Sequence, residues 1–282
     1  MRSMSCSVTL GRLVVLAIAL AGSGFTGGTL PSVTSAAGMQ SATATAYSES
    51  IAGTLVTFEM VPVPAGAVTI DGKTVAVPAF YIGRHEATWD MYDVFALGLD
   101  APKTSAGAGA DATARPSRPY GAPDYGWGHA GFPVISVTRN AAEAFCAWLS
   151  ARTGKKYRVP TEAEWLRAAS LSTGGAELSP ERRNSIAWHR GNAEGRAHAV
   201  GTKAADDFGL FDLFGNAGEW VTTADGALVL RGGSFRDNAE IVGPGARSVQ
   251  DATWNERDPQ LPGSRWWLSD APFAGFRIVR EM

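Results

Sequence analysis

Two stretches rich in glycine, Gly209-Leu-Phe-Asp-Leu-Phe-Gly-Asn-Ala-Gly-Glu-Trp220 and Arg231-Gly-Gly-Ser234, decide the fold class of this chain. Glycine interrupts regular helices and strands and permits turns, so glycines at such short intervals indicate short strands and tight turns. The same texture extends from Leu171 to the C-terminal Phe276-Arg-Ile-Val-Arg280. The 33 glycines and nine tryptophans of the 282 residues also favour turns and aromatic packing over a helical bundle.

Upstream of these turns the pattern predicts a few helices and strands. A first helix carries Trp89, Tyr92 and Phe95 on one face, a second runs from Asn140 to Gly154, and a third begins at Thr161. Thr161 and Glu164 form a capping box, and the dipole of that first turn also favours Glu162. Predicted strands cover 58–64, 67–73 and 75–82, with a turn at Asp71-Gly72. Few helices and scattered short strands predict an irregular α+β domain with little regular secondary structure.

Residues 100–131 interrupt this pattern. They are rich in Ala, Gly and Pro, and their only aromatic residues are Tyr120, Tyr125 and Trp127. A stretch of this length inside a compact domain is either a functional loop or a mobile insertion.

Composition bounds the class of partner. Hydrophobic residues make up 45% of the chain and charged residues 18%, which permits a sizeable core. The formal net charge is −2 and no basic run occurs. Because nucleic-acid binding requires clustered Lys and Arg, we expect no nucleic-acid partner.

The N-terminus is typical of a secretion signal. Arg2 and Arg12 precede the apolar run of residues 13–21, and Ser35-Ala36-Ala37 is an acceptable cleavage site. The alternative is an uncleaved membrane anchor. We predict a signal peptide over 1–37, a flexible Ala/Ser/Thr-rich lead-in over 38–55 and one domain over 56–282. The mature protein would be periplasmic or secreted and would have a net charge of −4, since residues 1–37 contain two arginines and no acid.

Cleavage would leave Cys146 as the single cysteine, so the mature chain could form no internal disulfide. The domain then depends on its core and on any metal ion that it binds.

Five blocks in order resemble the formylglycine-generating-enzyme (sulfatase-modifying factor) family. They are Phe80-Tyr-Ile-Gly-Arg-His-Glu-Ala-Thr88, the stretch from Pro133 through Trp148 to Tyr157-Arg-Val-Pro-Thr-Glu-Ala-Glu-Trp165, the two glycine-rich stretches quoted first, and Gly275-Phe-Arg-Ile-Val279. Each block alone is a weak signal, but together they span nearly the whole mature chain. The resemblance implies a C-type-lectin-like α+β fold.

The resemblance also implies a structural calcium ion. Carried over residue by residue, its ligands would be the side chains of Asp212 and Glu219 and the backbone oxygens of Gly215 and Ala217. A set made of oxygens alone suits a hard cation. Alternatively, Glu219 is an ordinary buried salt-bridge partner. The four histidines show no paired spacing for a transition metal.

The family's oxidase binds copper through two cysteines shortly after the "GGS" turn, and this chain has neither. Asp237 stands where the first cysteine would be, and no cysteine follows it. Because soft thiolates select Cu(I), the sequence argues against a copper cofactor and against formylglycine formation.

Polar and aromatic residues follow that turn and form the predicted site. Carboxylates in an aromatic-lined groove can have raised pKa values, which makes Glu256 and Asp237 candidate acid/base catalysts, with Arg236 beside them. Aromatic faces and arginine forks suit a planar or sugar-like ligand. The predicted substrate-binding residues are Arg231, Arg247, Trp254, Arg265 and Trp266. Alternatively, residues 256–258 form an exposed salt-bridged turn and Trp266 belongs to the core.

Two functions remain open. The first is modification of a small molecule or peptide by oxidation, as similar periplasmic proteins do in maturing siderophore chromophores. The second is a non-catalytic, calcium-stabilised binding or scaffold module, since a rigid frame with variable loops can bind without catalysis.

Overall fold

The computed structural model describes residues 44–100, 123–255 and 268–282. The signal peptide predicted over 1–37 and most of the 100–131 loop therefore lie outside the described residues. No helix in the described ranges is both long enough and apolar enough to cross a membrane.

In the described residues the strands form two sheets and a separate hairpin. The first sheet has the order β1-β2-β5-β11-β6 and is antiparallel throughout. Its strands are β1 (Tyr47–Ser50), β2 (Thr57–Val63), β5 (Phe80–Gly83), β11 (Val279–Glu281) and β6 (Tyr157–Arg158). The hairpin pairs β3 (Gly66–Ile70) with β4 (Lys73–Val77) around the predicted turn at Asp71-Gly72.

The second sheet has the order β10-β7-β8-β9 and carries most of the candidate site. β7 (Gly218–Thr222), β8 (Leu228–Gly232) and β9 (Gly243–Val249) run antiparallel, whereas β10 (Ala274–Gly275) pairs with β7 in parallel. This mixed content with short strands confirms the predicted irregular α+β class.

Four α-helices and a 3₁₀ turn pack on the sheets of the described chain. They are α1 (Trp89–Ala96), α2 (Arg139–Thr153), α3 (Glu162–Ser172) and α4 (Pro180–Ile186), and the 3₁₀ turn is Ala252–Asn255. Trp89, Tyr92 and Phe95 are all buried, as their spacing predicts. The predicted ends also hold, since Gly154 ends α2 at φ 70° and the Thr161–Glu164 capping box begins α3.

The ordered domain begins earlier than residue 56, which corrects the predicted flexible lead-in. β1 pairs with β2 from Tyr47↔Met60 to Ser50↔Thr57, and Ile51 is fully buried. The Tyr47 hydroxyl lies 3.1 Å from that of Tyr157. The strand predicted over 75–82 is also divided, because β4 ends at Val77 and β5 begins at Phe80.

Two glycines of the glycine-rich stretches occupy positions where a side chain would not fit. A Cβ at Gly215 would lie 2.1 Å from the Trp188 carbonyl oxygen, and one at Gly232 would lie 2.6 Å from that of Leu213. Both residues also have positive φ, of 77° and 90°. Close contact between backbones therefore fixes the 209–220 loop against β8.

Candidate functional site

The Ser234–Asp237 turn leaves β8 at the position where the resemblance places copper. Asp237 Oδ2 accepts hydrogen bonds from the Ser234 backbone N–H at 2.8 Å and from the Ser234 hydroxyl at 2.9 Å. The Asp237 carbonyl accepts a third from the Arg190 N–H at 2.8 Å. The carboxylate predicted as a catalytic candidate thus closes its own turn.

An aromatic surface surrounds this turn. The guanidinium of exposed Arg236 lies 5.2 Å from the centre of the Phe273 ring. Trp127 meets buried Phe235 edge to face at 5.3 Å, and Tyr125 stacks on Trp127 at 4.9 Å. Trp127 and Phe273 both pack on the small core cluster around Phe235. We call Tyr125, Trp127, Phe273 and Arg236, with the turn itself, the turn surface.

Trp254 lies beneath this surface rather than on it. Its side chain is buried in the core, 5.8 Å from the Trp220 ring and 5.2 Å from the Phe273 ring. Predicted as a substrate-binding residue, it contacts the surface through Phe273 and supports that ring.

Two other predicted substrate residues belong to a different place. Buried Arg231 Nη2 and exposed Arg247 Nε both bind Glu162 Oε1, at 3.0 and 2.8 Å. Arg231 also donates to the Ala246 carbonyl at 3.2 Å. These contacts join β8 and β9 to α3, whereas Arg236 lies against Phe273, so Arg231 and Arg236 contact different parts of the fold. The ion pair also gives Glu162 a role beyond its place in the first helical turn.

Arg247 also lines an open groove of about 940 Å³ between the β3–β4 hairpin, α3 and residues 240–247. The predicted site residues are therefore split between this groove and the turn surface. Glu256, Arg265 and Trp266 lie outside the described residues.

Buried charges gather around the 209–220 loop. Glu219 and Arg277 are both fully buried, and Glu219 Oε1 accepts from Arg277 Nε at 2.9 Å and Nη2 at 2.8 Å. Glu219 Oε2 accepts from Trp165 Nε1 at 2.8 Å. Arg277 also donates to the Gly83 and Phe211 carbonyls at 2.8 and 2.7 Å. This ion pair ties β7, β5 and the loop together.

Glu86 is a further buried acid that the sequence reasoning did not single out. Its two oxygens accept from Asn216 Nδ2 and from the Ala217 N–H, each at 2.8 Å. Burial, with Asp212 and Glu219 nearby, raises the pKa of Glu86 well above its usual range. Its bonds cross 130 residues of sequence, so no local pattern reveals them.

The proposed calcium ligands fit the ion in part. Asp212 Oδ2 accepts from the Gly201 N–H at 2.7 Å, while its buried Oδ1 has no hydrogen-bond partner among the described residues. Burial raises the pKa of Asp212 to about 6. A cation would satisfy that oxygen and offset three buried carboxylates that share one guanidinium. Glu219 already has the salt bridge of the alternative interpretation, so a cation would have to share it with Arg277.

His129 is a second feature that the sequence reasoning passed over. Its Nδ1 lies 2.8 Å from Asp124 Oδ2 and its Nε2 lies 2.8 Å from Asp93 Oδ2. Its ring stacks on Trp89 at 5.1 Å. Among the described residues, no group of three or more His, Cys, Asp or Glu is arranged to hold a metal ion.

Cys146 lies on the face of α2 that packs into the hydrophobic core. It is buried, and burial raises the pKa of its thiol. A neutral buried thiol is neither a nucleophile nor a metal ligand, so Cys146 does not replace the missing pair.

The fold and site define a class of protein, an irregular α+β domain with a buried charge network below a glycine-rich turn. The profile of the sulfatase-modifying factor enzyme 1-like domain (FGE-sulfatase) matches residues 50–282. The chain belongs to this formylglycine-generating-enzyme family.

Curated relatives match over part of their length. The inactive C-alpha-formylglycine-generating enzyme 2 of Bos taurus is 38% identical in an alignment over 129 residues that covers 39% of this chain and 40% of the bovine protein. The formylglycine-generating enzyme of Mycobacterium tuberculosis is 32% identical in an alignment over 108 residues that covers 33% of this chain and 34% of that protein. The aligned part thus spans two fifths or less of either relative.

Solved structures share the fold over most of the chain. Treponema denticola variable protein 1 superposes with a TM-score of 0.61 at 21% identity, covering 85% of this chain and all of that one. PvdO from Pseudomonas aeruginosa gives a TM-score of 0.55 at 23% identity, covering 79% of this chain and 94% of PvdO. At these identities the likeness establishes the fold alone.

Proposed function

We propose that this protein binds a small molecule or peptide at the turn surface and does not form formylglycine. The observation that carries the proposal is the cluster of Tyr125, Trp127, Phe273 and Arg236 around the turn where the resemblance places the copper cysteines. Aromatic faces supply contact area, and the exposed guanidinium can orient a carboxylate or carbonyl group.

The engagement of the other polar groups supports binding over catalysis. Asp237 is held by Ser234, and Arg231 and Arg247 are held by Glu162. Side chains that are hydrogen-bonded within the protein stabilise the fold, whereas a general base must reach the proton that it removes from the substrate.

Retention of small molecules tests this proposal. The purified protein, Trp127→Ala and Arg236→Ala are each incubated with a small-molecule and peptide extract of the organism that encodes the chain, and the retained compounds are identified by mass spectrometry. We expect at least one compound that the wild type retains and both variants lose. Arg152→Ala is the matched control, since that exposed arginine pairs with Asp100 at the C-terminal end of α2. A compound retained equally by all four proteins would place its site elsewhere.

Oxidation of the bound ligand is a second candidate. Glu256 follows Trp254 by two residues in the sequence, and Trp254 packs against Phe273 of the turn surface. In this proposal Glu256 accepts a proton from the substrate, which loses two hydrogens in total, while dioxygen accepts two electrons and two protons and leaves as hydrogen peroxide. A compound that accumulates in Glu256→Gln cells and is two hydrogens heavier than its wild-type counterpart would support oxidation. Identical extracts from wild-type and Glu256→Gln cells would support binding without oxidation.

Calcium and export complete the proposal. Asp212, Glu219 and the carbonyls of Gly215 and Ala217 would hold a structural calcium ion, supported by Asp212 Oδ1, which has no hydrogen-bond partner in the described part of the chain. The predicted signal peptide would place the mature protein in the periplasm or outside the cell.

A further inference from the structure

The short segment 124–132, here called the aromatic loop, carries Tyr125 and Trp127 of the turn surface. Its base is fixed by backbone bonds, because Trp89 donates to the Phe132 carbonyl at 3.0 Å and Val200 donates to that of Gly131 at 2.9 Å. Gly131 in turn donates to Asp90 Oδ2 at 2.6 Å. Its outer half, where both aromatic residues lie, needs other anchors.

His129 and Asp124 supply those anchors. Asp124 Oδ1 accepts from the Gly126 N–H at 2.9 Å, and the Asp124 carbonyl accepts from the Trp127 N–H at 3.0 Å. Asp124 Oδ2 binds His129 Nδ1, and His129 Nε2 binds Asp93 on α1. The imidazole thus joins the start of the aromatic loop to the helix beneath it.

This bridge depends on protonation for a stereochemical reason. Both ring nitrogens face carboxylate oxygens at 2.8 Å. A neutral imidazole has one N–H and one lone pair, whereas an imidazolium has two N–H groups. Only the imidazolium can donate to both acids, and a neutral ring would turn a lone pair toward one of them.

The surrounding charges favour the imidazolium. Asp93 and Asp90 face the aromatic loop from α1, Asp124 faces His129 from within the loop, and the Trp89 ring lies against the imidazole at an interplanar angle of 16°. Partial burial opposes the charge, but Asp93 and Asp124 outweigh it and raise the pKa of His129 above its ordinary value. The bond from Gly126 and the His129 contact likewise outweigh burial and lower the pKa of Asp124.

We propose that His129 is a positioning residue, whose protonated ring latches the aromatic loop to α1 and so holds Tyr125 and Trp127 in place on the turn surface. This inference rests on the proposed function of that surface. The latch is complete below the ordinary pKa of histidine and is lost as pH rises through the raised pKa of His129. Ligand binding should weaken over the same interval.

The first measurement follows His129 itself in the full-length protein by NMR. We expect its ring resonances to titrate above the ordinary value of about 6.5, and Asp93→Asn and Asp124→Asn each to lower the midpoint. Asp207→Asn, in an exposed ion pair with Arg182, is the matched control and should change nothing. A midpoint at or below 6.5, or one that Asp93→Asn leaves unchanged, would refute the latch.

The second measurement follows the loop. Amide exchange at Gly126, corrected for its intrinsic pH dependence, reports loop opening, and 5-fluorotryptophan reports the surroundings of Trp127. As pH rises through the His129 midpoint, the protection of the Gly126 amide should fall. The fall should be about tenfold for each pH unit by which the pKa of His129 in the latched loop exceeds its ordinary value. The Trp127 fluorine signal should move at the same midpoint. In His129→Gln both readouts should be independent of pH. If His129→Gln is poorly folded, Asp93→Asn replaces it, and both readouts should then follow the lowered His129 midpoint of that variant.

Neither measurement uses a ligand, so a failure of the proposed function leaves them intact. If His129 titrates as expected while Gly126 and Trp127 do not respond, the ring is a surface ion pair and positions nothing. If both respond, the latch holds whatever the surface binds.

Discussion

Removing the buried charge of Glu219 should be the most damaging conservative substitution in the described chain. Glu219→Gln keeps the shape of the side chain but leaves Arg277, fully buried, without its ion-pair partner. Breaking a buried pair by removing one member costs about 3–5 kcal/mol. For a domain of this size each kcal/mol lowers Tm by about 2–4 °C, so the expected loss is about 6–20 °C.

The acids next to Arg277 affect how large the loss of Tm should be in Glu219→Gln. Glu86 and Asp212 lie close enough to affect Arg277, and together with Glu219 they outweigh its burial and raise its pKa. At neutral pH the charge of Asp212 partly compensates Arg277 in the variant, which favours the lower half of the interval. Arg277 also keeps its bonds to Gly83 and Phe211.

Calorimetry and urea denaturation measure this effect at neutral pH. Glu194→Gln is the matched control, because that exposed acid pairs with Arg196 at 3.2 Å and should cost less than about 1 kcal/mol. If Glu219→Gln melts within 2 °C of the wild type, the Arg277 ion pair does not hold the loop against β5 and β7.

Three further predictions use other groups. Calcium should raise Tm of the wild type, and Asp212→Ala should abolish that increase while still folding; an equal calcium effect in both proteins, or none in either, would refute the proposed ion. His85 stacks on Phe211, and burial lowers its pKa to about 4. Between about pH 6.5 and 4 the unfolded chain therefore binds a proton that the folded chain does not. Acidification across this window should lower the free energy of unfolding by about 1–2 kcal/mol after allowance for partial exposure. In urea titrations His85→Gln should lose this pH dependence, and an unchanged dependence would assign it to another group. The intact mass of the protein recovered from the periplasm or medium should correspond to a chain that starts near residue 38, and a full-length mass found in the membrane fraction would favour the uncleaved anchor.

Local signals in the sequence predict local structure well. Thr161 caps the N–H of Glu164 three residues away, and the positive φ of Gly154 ends its own helix. The glycine-rich stretches likewise predict turns, because contacts such as that of Gly215 with Trp188 exclude any side chain. These features depend on a few neighbouring residues or on the lack of a Cβ.

Features that depend on long-range contacts escape such reasoning. β1 has no apolar pattern of its own, and it is ordered because it pairs with β2 and because Tyr47 packs edge to face on Tyr81. Arg231 and Arg236 are five residues apart in sequence, yet one side chain binds α3 and the other lies on Phe273. His129 meets Asp93 across 36 residues, a distance at which no spacing rule applies.

The most direct test of the central claim compares Arg236 with Arg247, which the sequence places in one site and the structure separates. For the compound retained by the wild-type protein, calorimetric titration gives the Kd of Arg236→Ala and Arg247→Ala. Loss of a charge-assisted hydrogen bond costs about 1.5–3 kcal/mol, so Kd should rise about 10- to 150-fold in Arg236→Ala and less than about twofold in Arg247→Ala. The reverse order would contradict the account and place the ligand in the groove beside α3.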